Sequence, residues 1–122
     1  DHDRLPPPAR PVVEFAVNAA ATKFAVLPPA GRWPGQIVVA LFGDEKPITA
    51  PVGARVGRGL LRIDPLDWSQ HVLPAGPVSR PIDVVARGTD LMVVDFGHFE
   101  MLGAGKIDAT RGSGKLWKVR LD

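Results

Sequence analysis

The feature that most constrains this chain is an internal repeat. Ile37-Val38-Val39-Ala40-Leu41-Phe42-Gly43 is matched 54 residues further on (37 to 91) by Leu91-Met92-Val93-Val94-Asp95-Phe96-Gly97. Leu60-Leu61-Arg62-Ile63 is matched 56 residues on (60 to 116) by Leu116-Trp117-Lys118-Val119, each copy following a glycine-rich stretch, Gly57-Arg58-Gly59 or Gly112-Ser113-Gly114. Lys23-Phe24-Ala25-Val26 stands before the first apolar run as Pro81-Ile82-Asp83-Val84 stands before the second, the first copy carrying extra loop at 28–34. Short apolar runs bounded by turn residues read as buried strands. With 12–17 and 68–73 preceding the two copies, eight strands are expected near residues 11–17, 22–28, 36–42, 58–64, 67–73, 80–86, 90–96 and 115–121. A unit of about 55 residues with four short strands suits a β-propeller blade. A β-sandwich also spaces short strands regularly, but it has no physical reason to repeat residue types in the same order, whereas stacked blades need equivalent faces. The expected fold is therefore all-β: two four-stranded β-propeller blades, part of a larger propeller. Residues 1–10 read as a disordered or linker segment, 11–66 as the first blade with a preceding outer strand, and 67–122 as the second.

Composition supports this reading and excludes several functions. Thirteen Pro and thirteen Gly, scattered through 122 residues, leave no uninterrupted window for a long helix. Fifteen basic and thirteen acidic side chains are interspersed, so no basic run tracks a phosphate backbone and nucleic acid is not an expected partner. The absence of cysteine excludes disulfides, thiolate catalysis and zinc–thiolate sites. No stretch approaches the roughly 20 apolar residues of a membrane-crossing helix, and residues 1–10 lack the apolar centre of a signal peptide, so no membrane partner is expected.

Three segments carry a resemblance: Arg80-Pro81-Ile82-Asp83-Val84-Val85, then Asp90-Leu91-Met92-Val93-Val94-Asp95, then Gly114-Lys115-Leu116-Trp117-Lys118-Val119. Together they resemble the last blade of glucose/sorbosone dehydrogenase-like propellers, which ends with a Gly-Arg-Pro-type turn, an apolar strand, a strand ending in Asp and a short Gly-x-aromatic-basic strand. Trp33-Pro34-Gly35-Gln36 and the strand after it resemble the penultimate blade, and the likeness spans most of residues 11–122. One departure is clear: where the family has a Gly-Ser-Trp-Asn stretch, Phe42-Gly43 is followed here by Asp44-Glu45-Lys46. The resemblance implies a six-bladed ring, a periplasmic or secreted setting, pyrroloquinoline quinone (PQQ) with calcium as cofactors, and a sugar or aldehyde as substrate. It also places the catalytic histidine base on an early blade, outside this sequence.

In a propeller the first strand of each blade lines the central channel, and the loops from strand 2 to strand 3 share one rim with those leading into strand 1. That rim is expected at residues 19–23, 44–56, 76–80 and 98–113. Arg80, at the mouth of a channel strand, reads either as a fork for a cofactor carboxyl group or as an inter-blade ion pair. Lys23 is assigned the same place in the first unit and is the second candidate for cofactor binding. Asp95 and His98 are rim candidates for ligand contact. With Glu100 and Asp108 they could offer metal ligands, but their spacing matches no metal motif and no metal site is expected. Asp83 interrupts an apolar strand and reads as structurally paired, His71 as a surface residue, and Trp33, Trp68 and Trp117 as packing groups. Gly103-Ala104-Gly105-Lys106 and Gly112-Ser113-Gly114-Lys115 lack the spacing and the hydroxyl residue of a phosphate loop.

Two functions from different classes follow. The chain supplies part of the cofactor rim of a sugar or aldehyde dehydrogenase-like propeller without being catalytic alone, or it is a non-catalytic propeller module that binds carbohydrate or protein. Two blades cannot close a ring, so further blades are expected, either in a longer chain of which this is the C-terminal part or from copies. Three copies would give six blades, with 12–17 pairing against a neighbour's 115–121.

Overall fold

The computed structural model describes residues 2–44 and 55–121, and in it the protein is all-β. Nine strands form among the described residues: β1 Ala21–Val26, β2 Ile37–Leu41, β3 Gly59–Ile63, β4 Gln70–Leu73, β5 Pro81–Arg87, β6 Asp90–Asp95, β7 Phe99–Met101, β8 Ile107–Ala109 and β9 Lys115–Arg120. Among the described residues the only helical turns are short 3-10 pieces at His2–Arg4 and Gly103–Gly105. Turn chemistry explains where strands stop. Arg87 pairs with Asp90 across a two-residue loop, and Gly88 at its first position takes φ 59°, the left-handed conformation such hairpins need. After β3, Asp64 accepts from the backbone N–H of Leu66 and, through its carbonyl, from that of Trp68, reversing the chain into β4.

Strands β1–β4 make one antiparallel sheet in sequential order, β5, β6 and β9 a second, and β7–β8 a small hairpin inserted between β6 and β9. The two larger sheets share one register. Ala21 pairs with Leu41 and Lys23 with Ala40 across a bulge, as Pro81 pairs with Asp95 and Asp83 with Val94 across another. Leu41 pairs with Gly59 as Asp95 pairs with Lys115. The repeat in the sequence is thus a repeat in hydrogen bonding: Leu41 is the counterpart of Asp95, as the sequence match has it, whereas Lys23 is the counterpart of Asp83 and not of Pro81, because the match of the first strands is two residues out of register.

Two expectations are corrected. The strand expected at residues 11–17 does not form; Val13 and Phe15 instead pack on one face of the first sheet, and Glu14 accepts a hydrogen bond from Gln70 at 3.1 Å. Side-chain burial on a sheet face needs no ladder, and here it wins over edge pairing. The strand 67–73, assigned to the second unit, forms as Gln70–Leu73 and pairs with β3, so the sheets divide after Leu73 rather than between residues 66 and 67. The second sheet accordingly has three strands, not four.

Alternation along the strands makes both faces of each sheet apolar. On the first sheet Ala25, Val38, Ala40, Leu60 and Leu73 face the second, which answers with Val84, Leu91, Val93, Trp117 and Val119. Val39, Leu41 and Ile63 point the other way, beneath Val13 and Phe15. The sheets come closest along β1 and β5. The end carrying the starts of β1, β3, β5 and β9 and the ends of β2 and β6 holds the polar groups discussed next.

Candidate functional site

Phe-Gly after the second strand of each repeat builds the floor of this end. Gly43 (φ 91°) and Gly97 (φ 90°) turn the chain where a Cβ would lie 2.6 Å from the Arg58 backbone nitrogen or 2.5 Å from the Ser113 carbonyl carbon. Only glycine fits so close to backbone with that φ. The turns bring Phe42, Phe96 and Phe99 into a cluster with ring centroids 5.4–6.1 Å apart.

Over this floor lie five charged side chains. Arg80 is 2% exposed, with its guanidinium 4.7 Å above the Phe42 ring. Its Nη1 donates to the carbonyls of Phe42 (3.1 Å) and Asp44 (2.7 Å), and its Nη2 to the Phe99 carbonyl (2.9 Å) and Glu100 Oε2 (3.3 Å). Arg58 forks onto Glu100 at 2.6 and 2.9 Å and reaches Asp44 Oδ1 through Nε at 2.8 Å. Arg55 lies 3.4 Å from Glu100 and 3.6 Å from Asp44. The Arg58 hydrogen bond, with the neighbouring guanidinium charges, outweighs burial and lowers Glu100 to about 2. Burial pushes Asp44 upward, but the Arg58 hydrogen bond and charge, the Val56 amide and Arg55 bring it below the ordinary carboxylate range. Both carboxylates are therefore ionised at neutral pH and engaged by guanidinium groups. Such a cluster clamps the first sheet to the second and to the β7–β8 hairpin; it offers no base able to take a proton near pH 7.

Asp95 is a second knot. Its carboxylate, 3% exposed, accepts from the backbone N–H groups of Ser79, Arg80 and Gly97, each at 2.9 Å, and from the Trp117 indole at 3.2 Å. Burial raises its pKa, but these donors outweigh it and the group is held below its ordinary value. It fixes how the chain crosses into β5 and out of β6. His98 stands outside this knot: its Nε2 is 2.9 Å from Asp108 across the exposed hairpin, and its backbone N–H donates to Ser113 Oγ. A carboxylate-oriented imidazole facing solvent can hold a polar ligand or pass a proton.

The structure thus gathers Arg80, Asp95 and the hairpin that bears His98 at one end, while Lys23 lies beside Asp83 at 3.8 Å, both half-exposed. Register makes Ala20, not Lys23, the neighbour of β1 that corresponds to Arg80. Asp83 also accepts from the Val84 N–H at 2.8 Å. Trp33 and Trp117 pack against the core, whereas Trp68 sits 40% exposed in the β3–β4 turn at φ 61°. Sequence reasoning did not assemble Asp44, Arg58 and Glu100; the doubled Phe-Gly was the signal that these loops converge. The rest of the 44–56 rim loop, residues 45–54, lies outside the described residues.

Arg80 does not fit the cofactor-binding role that the resemblance implies for it. Both terminal nitrogens of Arg80 already donate to protein oxygens, and its side chain is 2% exposed, so no fork faces outward for a cofactor carboxyl group. Among the described residues no group of three or more His, Asp or Glu could hold a metal ion. No family model, no curated protein and no solved structure matches the chain.

Proposed function

We propose that the two sheets are consecutive blades of a β-propeller, of the glucose/sorbosone dehydrogenase-like type that the sequence resembles, and that this chain is a ligand-presenting module rather than a catalyst. One observation carries the reading: the sheets stack head to tail. The face of the first sheet that meets the second is built from Ala25, Val38, Ala40 and Leu60, whose counterparts Val85, Met92, Val94 and Leu116 lie on the far side of the second sheet. A sandwich packs two inner faces against each other and leaves two outer faces to solvent; repeated stacking in one sense, closest along the first strands, is what blades do. The cation–carboxylate clamp supports a structural role for Arg80, and the exposed His98–Asp108 hairpin is the part of the rim left to meet a small polar ligand such as a sugar.

The test is a titration of isotopically labelled protein with mono- and disaccharides, followed by amide chemical shifts. Shifts confined to residues 96–113 are expected. In parallel, PQQ, calcium, aldoses and an artificial electron acceptor are expected to give neither a quinone absorbance change nor turnover. Turnover would replace the module reading with the enzyme one.

A further inference from the structure

The head-to-tail stack leaves one face of each kind without a partner sheet. On the second sheet Val85, Val94 and Leu116 are 51%, 39% and 64% exposed, although their counterparts in the first sheet, Ala25, Ala40 and Leu60, pack in the core between the sheets, Ala25 half-buried and the other two buried. On the first sheet Phe24 and Val26 are 63% and 55% exposed, although their counterparts Val84 and Ala86 pack in the core between the sheets. The chain therefore carries both halves of a contact that it already makes once inside itself. We infer that the open face of the second sheet docks on the far face of the first sheet in another copy of this chain, repeating the internal stack. The inference rests on the reading of the sheets as stacked blades.

Charge complementarity points to a second copy. Within the chain Lys23 meets Asp83 along the innermost strands. These two residues are counterparts in register, so the same step onward sets Asp83 of one copy beside Lys23 of the next, again opposite in sign. Two copies joined through the open face of the second sheet on both sides would instead place Asp83 near Asp83, since Asp83 shares that face with Val85. The segment holding Val13 and Phe15 now lies over the middle of the first sheet's far face. Because it contributes no strand to the sheet, it can yield that face to a better-matched one. A contact between unlike faces is heterologous and propagates to a closed ring when its rotation allows.

Sedimentation of the 13.1 kDa chain and of two exposed-face variants tests this. The wild type is expected to show concentration-dependent mass above that of the monomer. Leu116→Asp and Phe24→Asp should each weaken self-association by about 100-fold, since a charge is buried at the centre of an apolar contact. Mixing the two variants should restore a 1:1 dimer, because each keeps the one good face the other needs. A wild type that stays monomeric, or a mixture that gives no dimer, overturns the inference. A separate arm isolates the underlying reading: with both Lys23→Cys and Asp83→Cys in one chain, a short bifunctional thiol reagent should bridge the sheets internally at high dilution. Bridging without association sinks the docking inference alone, whereas failure to bridge sinks the stacked-blade reading as well.

Discussion

The first sheet and the second share a register, a bulge and a Phe-Gly turn, yet they are held at the rim by opposite chemistry. Where the first sheet ends in Leu41, packed beneath Phe15 with Val39 and Ile63, the second ends in Asp95, buried and saturated by three backbone N–H groups and an indole. Where the first sheet is approached through Ala20, the second is approached through Arg80, which reaches back into the first. The frame of a repeat is thus fixed by strand alternation and by the glycine that turns the chain. The residue at the strand end is free to be a hydrophobe or a polar hub, provided a buried charge finds all its partners.

Putting the first sheet's residue into the second is the sharpest way to break this comparison. Asp95→Leu should destabilise the protein by about 3–5 kcal/mol in chemical denaturation, because three buried N–H groups lose their acceptor at once. A cost below about 1 kcal/mol would mean that the polar knot is dispensable and the two strand ends interchangeable. Gly43→Ala and Gly97→Ala should each cost about 2–3 kcal/mol, since both combine a positive φ with a backbone clash. Clearly unequal losses would show that the turns are not equivalent.

The clamp between the sheets gives a pH dependence. Glu100 has its folded-state pKa lowered from 4.5 to about 2, so the stability it contributes is complete above pH 4.5 and is lost as the pH falls toward 2. Denaturation midpoints of wild type and Glu100→Gln should therefore differ most at neutral pH and converge in acid; parallel curves would refute the Arg58–Glu100 assignment. The smallest effect belongs to the exposed Lys23–Asp83 pair. Lys23→Ala should change monomer stability by no more than about 0.5 kcal/mol, measured at low concentration and moderate salt.

Much of this fold was legible because its signals are local. Strand alternation, the two Phe-Gly turns and the glycines before β3 and β9 are written at fixed spacing, so seven of the eight expected strands formed near their places. The β7–β8 hairpin, from Phe99–Met101 and Ile107–Ala109, was read as plain loop because three-residue strands give too short a pattern. Metal-ligand reasoning noticed Glu100, but nothing in its neighbourhood announced that its partners would be Arg58 and Arg80, 42 and 20 residues away in the chain.

The sequence by itself determined the all-β class and the repeat of the second and third strands of each unit, since a period of two and a glycine-specific turn act on neighbouring residues whatever the rest of the chain does; the sequence match sets the register of β1 against β5 two residues off. Only the tertiary structure decided that Gln70–Leu73 closes the first sheet, that 11–17 lies on a face instead of an edge, and that Arg80 is enclosed by the carbonyls of Phe42, Asp44 and Phe99. Those outcomes depend on which sheet edge, which apolar face and which oxygens remain available once the chain has folded back, and that competition is between groups far apart in sequence.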